Sequence, residues 1–232
     1  MPAKNIIKIY VEDGYYHVYN RGVEKRIIFK DDQDYKVFLD YLKIYLQPPQ
    51  PLLTRTESIG DTVFTAPRRP LNNFHNEIEL IAYCLMPNHF HLLLKQRSQR
   101  ALESFMRSLL TKYSTYFNKR YKRVGSLFQS TYKAALVDND NYLLHLSRYI
   151  HLNPVKGTPL HILHMAYSSY GDYIGKRDTK WIKKENILSF FNDTKKTGLV
   201  NLLSYQSFVE KYSSDSKETL GRLTLEDDEE DL

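Results

Sequence analysis

Two apolar runs separated by a Pro-Asn turn most constrain what this chain can fold into. Residues 78–85 and 89–95 are rich in leucine, isoleucine and aromatic side chains, and Met86-Pro87-Asn88 lies between them. Apolar runs of this length favour strands, and proline followed by asparagine is typical of a tight turn. The stretch therefore predicts a β-hairpin, around which the rest of the chain is organised.

Two histidines begin the second strand of this hairpin. Successive side chains of a strand point to opposite faces, so His89 and His91 share one face while Phe90 takes the other and anchors the strand in the core. Two imidazoles at this spacing on a rigid strand are placed to hold one divalent metal ion. The alternative is a polar pair on a half-buried strand, because a single His-x-His is a weak motif. A metal site here needs further ligands from elsewhere in the chain.

Strand and helix patterns follow one another along the first two thirds of the chain. The order is strand, helix, hairpin, helix, strand, helix, and the helices carry apolar residues at helical spacing. We predict an α+β fold of the ferredoxin-like (RRM-like) type, a four-stranded antiparallel sheet with helices on its face. The elements predicted outside the hairpin are a strand at 15–20, a helix capped by Asp31 or Asp32 and ending near Leu46, a helix at 101–120, a strand at 127–137, and a helix capped by Asp138 or Asp140 and ended by Pro154.

The chain is predicted to divide into a core domain, an extension and a tail. Residues 1–157 form the core domain, in which 47–76 hold five of the nine prolines and are interpreted as an irregular insertion. Residues 158–225 have looser helical patterns and predict a small C-terminal helical extension. The acidic residues at 226–232 predict a disordered tail.

Charge is unevenly distributed along the chain. The formal net charge is +6, and because residues 226–231 contribute −6, the remainder carries +12. Such a basic body favours an anionic partner, and the 19 tyrosines include candidates for stacking on unpaired bases. With a single cysteine, Cys84, no signal-peptide pattern and no apolar run of 18 residues, we expect a cytoplasmic protein without a membrane partner.

A tyrosine and an asparagine lie four residues apart near the end of the last core helix. On a helix, Tyr149 and Asn153 share one face, about 6 Å apart along the axis. Asn153 could complete the ligands of a metal at the histidine pair, and Tyr149 would then stand over the same site as a nucleophile. Pro154 disfavours helical backbone angles at the residue before it, so we expect Asn153 to be the last residue of the helix. The alternative for Tyr149 is a core residue in the apolar stripe.

Four segments resemble known transposases, in the same order along residues 15–175. Met86–Leu93 resembles the His-hydrophobic-His signature of the single-tyrosine HUH transposases, a superfamily of insertion-sequence transposases. Tyr149–Gly157 resembles the catalytic-tyrosine helix of their REP-associated tyrosine transposase branch. Tyr16–Gly22 and Gly125–Lys133 are similar to family positions as well. The histidine pair alone is weak, but four segments in the correct order are specific.

The resemblance implies a metal-dependent enzyme that cleaves and rejoins single-stranded DNA near hairpins. By this resemblance His89 and His91 bind Mg²⁺ or Mn²⁺, Asn153 is the third ligand, and Tyr149 attacks the scissile phosphate. The product is a covalent 5′-phosphotyrosine intermediate with a free 3′-hydroxyl, used in DNA transposition or in REP-element processing. Asparagine at the third ligand position favours the REP-associated branch, since insertion-sequence members usually have glutamine there.

Other functions and states remain open from the sequence. A non-catalytic protein that binds single-stranded nucleic acid is the alternative, and an inactive domesticated relative is another. The protein could be a monomer or a homodimer, because insertion-sequence relatives exchange tyrosine helices between subunits. The resemblance also implies a bacterial protein that is nucleoid-associated when bound to DNA.

The DNA contacts and the remaining histidines are less well defined. The basic run 119–123 is a plausible contact to the phosphate backbone, with a solvated surface as the alternative. His17 is interpreted as a strand residue, with approach to the metal as the lesser possibility. His151 is two residues from Tyr149 and points elsewhere on the helix, so we do not expect it to be the catalytic base. The candidate DNA-binding residues are Arg21, Arg120, Lys122, Arg123, Gln129, Lys133 and Arg148.

Overall fold

The structure is a computed structural model. It describes residues 9–49, 54–59, 62–67, 72–156, 159–192 and 204–211.

The central antiparallel sheet has four strands, β1 (Tyr15–Arg21), β4 (Ile78–Met86), β5 (His89–Gln96) and β6 (Lys133–Val137). Their spatial order is β4-β5-β1-β6. The predicted hairpin is present, with β4 and β5 joined by the two-residue turn Pro87-Asn88 and paired from Ile78↔Gln96 to Met86↔His89. Strand β1 lies in the middle of the sheet, because it pairs with β5 on one side and with β6 on the other. This is the predicted ferredoxin-like α+β fold.

Helices α1 (Asp32–Leu46) and α2 (Ala101–Arg120) cover the sheet face that Phe90 occupies. Phe90 is fully buried, with its ring 5.4 Å from that of Phe38 on α1, so it anchors β5 in the core as predicted. Helix α1 begins after Asp31, whose side chain accepts hydrogen bonds from two backbone N–H groups of the first turn. The two helices therefore leave the His89 and His91 face of the sheet to other elements.

Helix α3 (Asp140–Leu152) packs against β4 and β5 on the histidine face. Its N-cap is Asn139, which accepts a hydrogen bond from the N–H of Tyr142, so the prediction of Asp138 or Asp140 as the cap was wrong. Asparagine serves this position as well as aspartate does, because its side-chain oxygen reaches the same backbone donors. The chain continues past α3 as a 3₁₀ turn, Asn153–Lys156.

The last core strand is shorter than predicted. Strand β6 begins at Lys133, whereas the prediction placed its start at residue 127. Phe128 makes only an isolated bridge to Gly22, and the segment between it and β6 is not strand. The apolar side chains of Leu127 and Phe128 are buried without regular pairing, which explains why they resemble a strand in sequence.

A second, two-stranded sheet lies within the predicted irregular insertion. Strands β2 (Thr54–Ile59) and β3 (Thr62–Pro67) pair antiparallel, so the interpretation of 47–76 as irregular throughout was wrong. Both segments are rich in threonine and other β-branched residues, and Gly60-Asp61 between them suits a hairpin loop. The proline content of the flanks concealed this signal.

The predicted helical extension contains three short helices among the residues that the structure describes. They are α4 (Tyr170–Tyr173), α5 (Glu185–Asn192) and α6 (Tyr205–Glu210), preceded by the 3₁₀ helix Leu160–Met165. The acidic tail lies outside the described residues. Within the described part of the chain, no helix is long and apolar enough to cross a membrane.

Candidate active site

The two histidines of β5 lie side by side on the face opposite α1 and α2. Their rings are 5.2 Å apart between centroids and nearly perpendicular, at 88°. His91 is fully buried, opposite Tyr19 of β1 and Cys84 of β4, whereas His89 is half-buried at the end of the strand. The pair therefore opens to solvent on the His89 side only.

His91 has one hydrogen-bonded and one unsatisfied ring nitrogen. Its Nδ1 lies 2.9 Å from Nε2 of His17, which β1 places on the same face of the sheet. Its Nε2 is buried and has no hydrogen-bond partner among the described residues. Burial, together with the neighbouring His17 and His89, holds the pKa of His91 well below its usual value. The ring is therefore neutral at physiological pH, which is the state that binds metals.

His89 is held by the residue that precedes it. Its Nδ1 lies 2.7 Å from the side-chain oxygen of Asn88. The amide nitrogen of Asn88 donates to the carbonyl of Lys25 at 3.2 Å, and the Asn88 carbonyl accepts from the N–H of Gly22 at 2.9 Å. A Cβ at Gly22 would lie only 2.2 Å from the carbonyl oxygen of Arg26, so this close approach requires glycine. The turn and the chain after β1 thus fix His89 together.

Helix α3 places Tyr149 over the two buried histidines. The Tyr149 ring is 5.6 Å from that of His91 and 6.1 Å from that of His17, and it is nearly perpendicular to both. Tyr149 is half-buried. All of these side chains belong to one chain, so a single copy of the protein brings the tyrosine and the histidine pair together.

Asn153 lies one turn beyond Tyr149 and directly after α3. Its backbone has helical angles, φ −51° and ψ −40°, although Pro154 follows it. The chain accommodates this by tightening into the 3₁₀ turn that begins at Asn153. Its amide nitrogen donates to the carbonyl of Tyr149 at 3.0 Å, which leaves the amide oxygen as the side-chain atom that could bind a metal ion.

The donor set fits a divalent metal ion in part. Two imidazole nitrogens and an amide oxygen are acceptable ligands, and the buried, unsatisfied Nε2 of His91 is the observation that favours a ligand there. The described residues contain no cluster of three or more His, Cys, Asp or Glu side chains arranged to hold a metal ion. A bound Mg²⁺ or Mn²⁺ would therefore need water or substrate oxygens to complete its coordination.

Comparison with known proteins identifies the segment that carries these residues. Residues 72–153, which are 82 of the 232 in the chain, match the family model described as "Transposase IS200 like". This segment is similar to the IS200-like transposase family. It contains both histidines, Tyr149 and Asn153, and the predicted resemblance to single-tyrosine transposases is confirmed at this level. No protein with curated annotation matches the chain significantly.

One solved structure supports the fold of this chain. A REP-associated tyrosine transposase bound to a REP hairpin aligns with a TM-score of 0.52 and 12% sequence identity, covering 78% of this chain and 97% of its own. At that identity the likeness shows the shared fold alone. A protein from Deinococcus radiodurans R1, described as "a putative transposase", covers 65% of this chain and 95% of its own with 15% identity, and its TM-score of 0.36 carries no structural argument.

His151 of helix α3 has hydrogen-bond partners in other parts of the fold. It is fully buried, with Nδ1 2.6 Å from the Tyr205 hydroxyl of α6 and Nε2 2.7 Å from the Ser169 hydroxyl. Ser169 also accepts a hydrogen bond from the backbone N–H of Tyr83 on β4. Burial lowers the pKa of His151 to about 3. His151 thus connects α3 to the extension and the sheet, and both of its nitrogens are occupied, as expected for a residue that is not the catalytic base.

Several predicted DNA-binding cations have partners within the fold. Arg120 forms ion pairs with Asp31 and the fully buried Asp34. Arg148 is buried, stacks 4.2 Å above the Phe208 ring, and donates to the Phe208 carbonyl. Both arginines therefore stabilise contacts between elements.

The remaining candidate DNA contacts lie closer to solvent or to one another. Arg21 donates to the side-chain oxygen of Gln129 at 3.2 Å, and Arg123 donates to Asn118 at 2.8 Å. Lys133 is mostly buried beside the Tyr19 ring, with its Nζ 5.8 Å from the ring centroid. Lys122 and Gln129 are exposed.

Sequence reasoning gave Asn88 a role only in the turn and placed His17 mainly as a strand residue. Both contact the candidate metal histidines in the structure. The sequence carries a signal for Asn88, because it directly precedes His89. It carries no signal for His17, which reaches His91 only through the pairing of β1 with β5.

Proposed function

We propose that this protein is a transposase or nickase of the REP-associated tyrosine type. It cleaves and rejoins single-stranded DNA near hairpins through a covalent 5′-phosphotyrosine intermediate on Tyr149. The observation that carries the proposal is the Tyr149 ring packed 5.6 Å from His91, whose Nε2 is buried and unsatisfied within the described residues. A nucleophile beside a vacant imidazole nitrogen suits metal-assisted attack on a phosphodiester.

His89, His91 and Asn153 would hold the metal ion, either Mg²⁺ or Mn²⁺. When bound, it supplies positive charge to a non-bridging phosphate oxygen and so stabilises the transition state. His91 contributes a neutral ring from the core, and His89 contributes a ring from the solvent-facing end of the strand. Asn153 contributes its amide oxygen, since the amide nitrogen already bonds the Tyr149 carbonyl.

In the reaction, the Tyr149 hydroxyl oxygen attacks the scissile phosphorus. A bond forms between that oxygen and phosphorus, and the bond from phosphorus to the 3′-oxygen of the preceding nucleotide breaks. The phenol loses its proton to solvent, and the leaving 3′-oxygen gains one. The ester is conserved on the enzyme, so a 3′-hydroxyl can later attack it and rejoin the strand.

The proposed substrate is single-stranded DNA that carries a hairpin. The solved relative is bound to a REP hairpin, and the body of this chain is strongly basic. Lys122, Arg123 and Gln129 are the candidate backbone contacts nearest to solvent. Arg120 and Arg148 are weaker candidates because of their intramolecular partners.

The test is adduct formation with a labelled hairpin oligonucleotide and Mn²⁺, followed on denaturing gels. The wild type should give a protein–DNA adduct that EDTA abolishes, and Tyr149→Phe should give none while binding the hairpin with near-normal affinity. The matched control is Tyr142→Phe on the same helix, because the Tyr142 hydroxyl is buried without a hydrogen-bond partner among the described residues. This control should form the adduct normally.

Two results would overturn the proposal. One is an undiminished adduct in Tyr149→Phe. The other is hairpin binding by the wild type, equal with and without EDTA, with no adduct under any metal condition. The latter would favour the non-catalytic nucleic-acid-binding alternative.

A further inference from the structure

The two candidate metal histidines share an arrangement that the proposed chemistry does not by itself require. Each has its Nδ1 hydrogen-bonded to another side chain, His91 to His17 and His89 to Asn88. Nε2 of His91 is buried without a hydrogen-bond partner among the described residues, and in His89 Nε2 is the ring nitrogen that does not bond Asn88. The partners come from different places, since His17 lies in the middle of β1 and Asn88 lies in the turn before β5.

The direction of the hydrogen bond at His89 follows from the surroundings of Asn88. The Asn88 amide nitrogen faces the carbonyl of Lys25, which can only accept, so the amide oxygen faces His89. An amide oxygen also only accepts, so Nδ1 of His89 must carry the proton. In the neutral ring Nε2 then carries the lone pair.

In the contact between His17 and His91 either ring nitrogen can be the donor, and the proposed metal site selects one of the two directions. One proton lies between His91 Nδ1 and His17 Nε2, which are 2.9 Å apart. Metal binding by His91 at Nε2 requires that this proton belong to His91, with His17 as the acceptor. His17 is fully buried and stacked against His91, with ring centroids 5.1 Å apart and an interplanar angle of 20°, so the acceptor is held in a fixed position.

We propose that Asn88 and His17 are positioning residues of the candidate metal centre: each accepts the Nδ1 proton of one histidine and thereby directs its Nε2 lone pair to the metal. This rests on the proposed function, because it takes His89 and His91 as the ligands. Hydrogen-bond partners of metal-binding histidines fix both the tautomer and the ring orientation. The residues are not expected to touch the metal or the DNA.

Substitutions should separate the loss of the acceptor from the loss of the residue. Asn88→Ala and His17→Phe remove the acceptor, and each should weaken Mn²⁺ binding about 10- to 100-fold. His17→Gln keeps an acceptor oxygen and should recover most of the affinity, whereas Asn88→Asp keeps the acceptor but loses the donor to the Lys25 carbonyl and should recover only part of it. Asn72→Ala is the matched asparagine control, since Asn72 bonds Ser108 on α2, a helix on the opposite face of the sheet.

The first measurement is Mn²⁺ affinity, by electron paramagnetic resonance titration of the full chain without DNA. Circular dichroism confirms that each variant is folded. If the wild type binds Mn²⁺ and Asn88→Ala and His17→Phe bind it equally well, the positioning roles are wrong while the metal site stands. If the wild type and His91→Leu show the same Mn²⁺ binding, the proposed metal centre itself fails.

The second measurement needs no variant and covers the case in which the buried His17→Phe does not fold. Nitrogen-15 NMR of the metal-free wild type at pH 8 distinguishes the two imidazole tautomers. Both His89 and His91 should carry the proton on Nδ1. A proton on Nε2 of either ring would overturn the positioning role of its partner.

Discussion

His91 and His151 are both fully buried histidines, and their surroundings differ in one respect. Burial lowers the pKa of each, so both rings are neutral at physiological pH. Both nitrogens of His151 have hydrogen-bond partners, the hydroxyls of Tyr205 and Ser169. One nitrogen of His91 has none among the described residues. His151 thus serves the fold, whereas His91 requires something that the described chain does not supply.

The difference has an energetic meaning. A buried polar atom without a partner costs about 1–3 kcal/mol, whereas each buried hydrogen bond that is formed contributes about 1 kcal/mol to stability. Residues kept at such a cost need an explanation, and a ligand is the simplest one for an imidazole nitrogen beside a tyrosine. The comparison therefore predicts opposite consequences when either histidine is replaced by leucine.

The largest effect should be that of His91→Leu on metal-dependent chemistry. The adduct should fall by more than about 1,000-fold, because metal assistance to phosphate chemistry contributes several kcal/mol. The free energy of unfolding should fall by less than in His151→Leu, since removal of the unsatisfied Nε2 offsets loss of the one hydrogen bond to His17. Adduct yield on denaturing gels and urea unfolding in EDTA measure the two effects. A large loss of stability with retained adduct formation would reverse the assignment of the two histidines.

His151→Leu should have the opposite profile. It should lower the free energy of unfolding by about 2 kcal/mol, because the two hydroxyls that bond His151 lose a buried partner. Tyr205 retains Ser147 at 3.1 Å, and Ser169 retains the N–H of Tyr83, so the loss is limited. Mn²⁺ affinity should stay within about threefold of the wild type. A Mn²⁺ affinity that falls as much as in His91→Leu would show that His151 belongs to the site.

The pH dependence of the unfolding free energy should differ between His151→Leu and the wild type. In metal-free buffer the folded-state pKa of His151 is about 3, below the ordinary value of 6.5. The unfolded chain therefore binds more protons between these values, and the wild type loses stability as the pH falls through that window. His151→Leu lacks this contribution, so its deficit relative to wild type should shrink by about 1.4 kcal/mol for each pH unit below 6.5. Urea unfolding from pH 7.5 to 5 in EDTA measures the deficit, and a constant deficit would contradict the low pKa.

Local spacing in the sequence predicted much of this site. The alternation along β5 placed His89 and His91 on one face, and the four-residue step from Tyr149 to Asn153 placed both on one helix. Each of these inferences needs only the geometry of a single element. The family match over residues 72–153 spans all four of these residues.

Contacts between distant segments were beyond the sequence. His17 and His91 are 74 residues apart, and His151 and Tyr205 are 54 apart. Such contacts depend on strand order and on how the extension packs, and no local period encodes either. Another error arose where three adjacent residues can all cap a helix. Asn139 caps α3, whereas the prediction chose Asp138 or Asp140.

The smallest predicted effect concerns two cations of the basic run 119–123, one paired within the fold and one exposed. Arg120 is paired with Asp31 and buried Asp34, whereas Lys122 is exposed at the end of α2. Lys122→Ala should weaken hairpin binding a few-fold and reduce the slope of log affinity against log salt by about 1, because one phosphate contact is lost. Its unfolding free energy should stay the same. Arg120→Ala should lower stability and leave the salt slope unchanged, since its charge is committed to the two aspartates. Fluorescence anisotropy with a labelled hairpin at several salt concentrations measures the slopes. A reduced slope for Arg120→Ala alone would show that Arg120, and not Lys122, contacts the DNA.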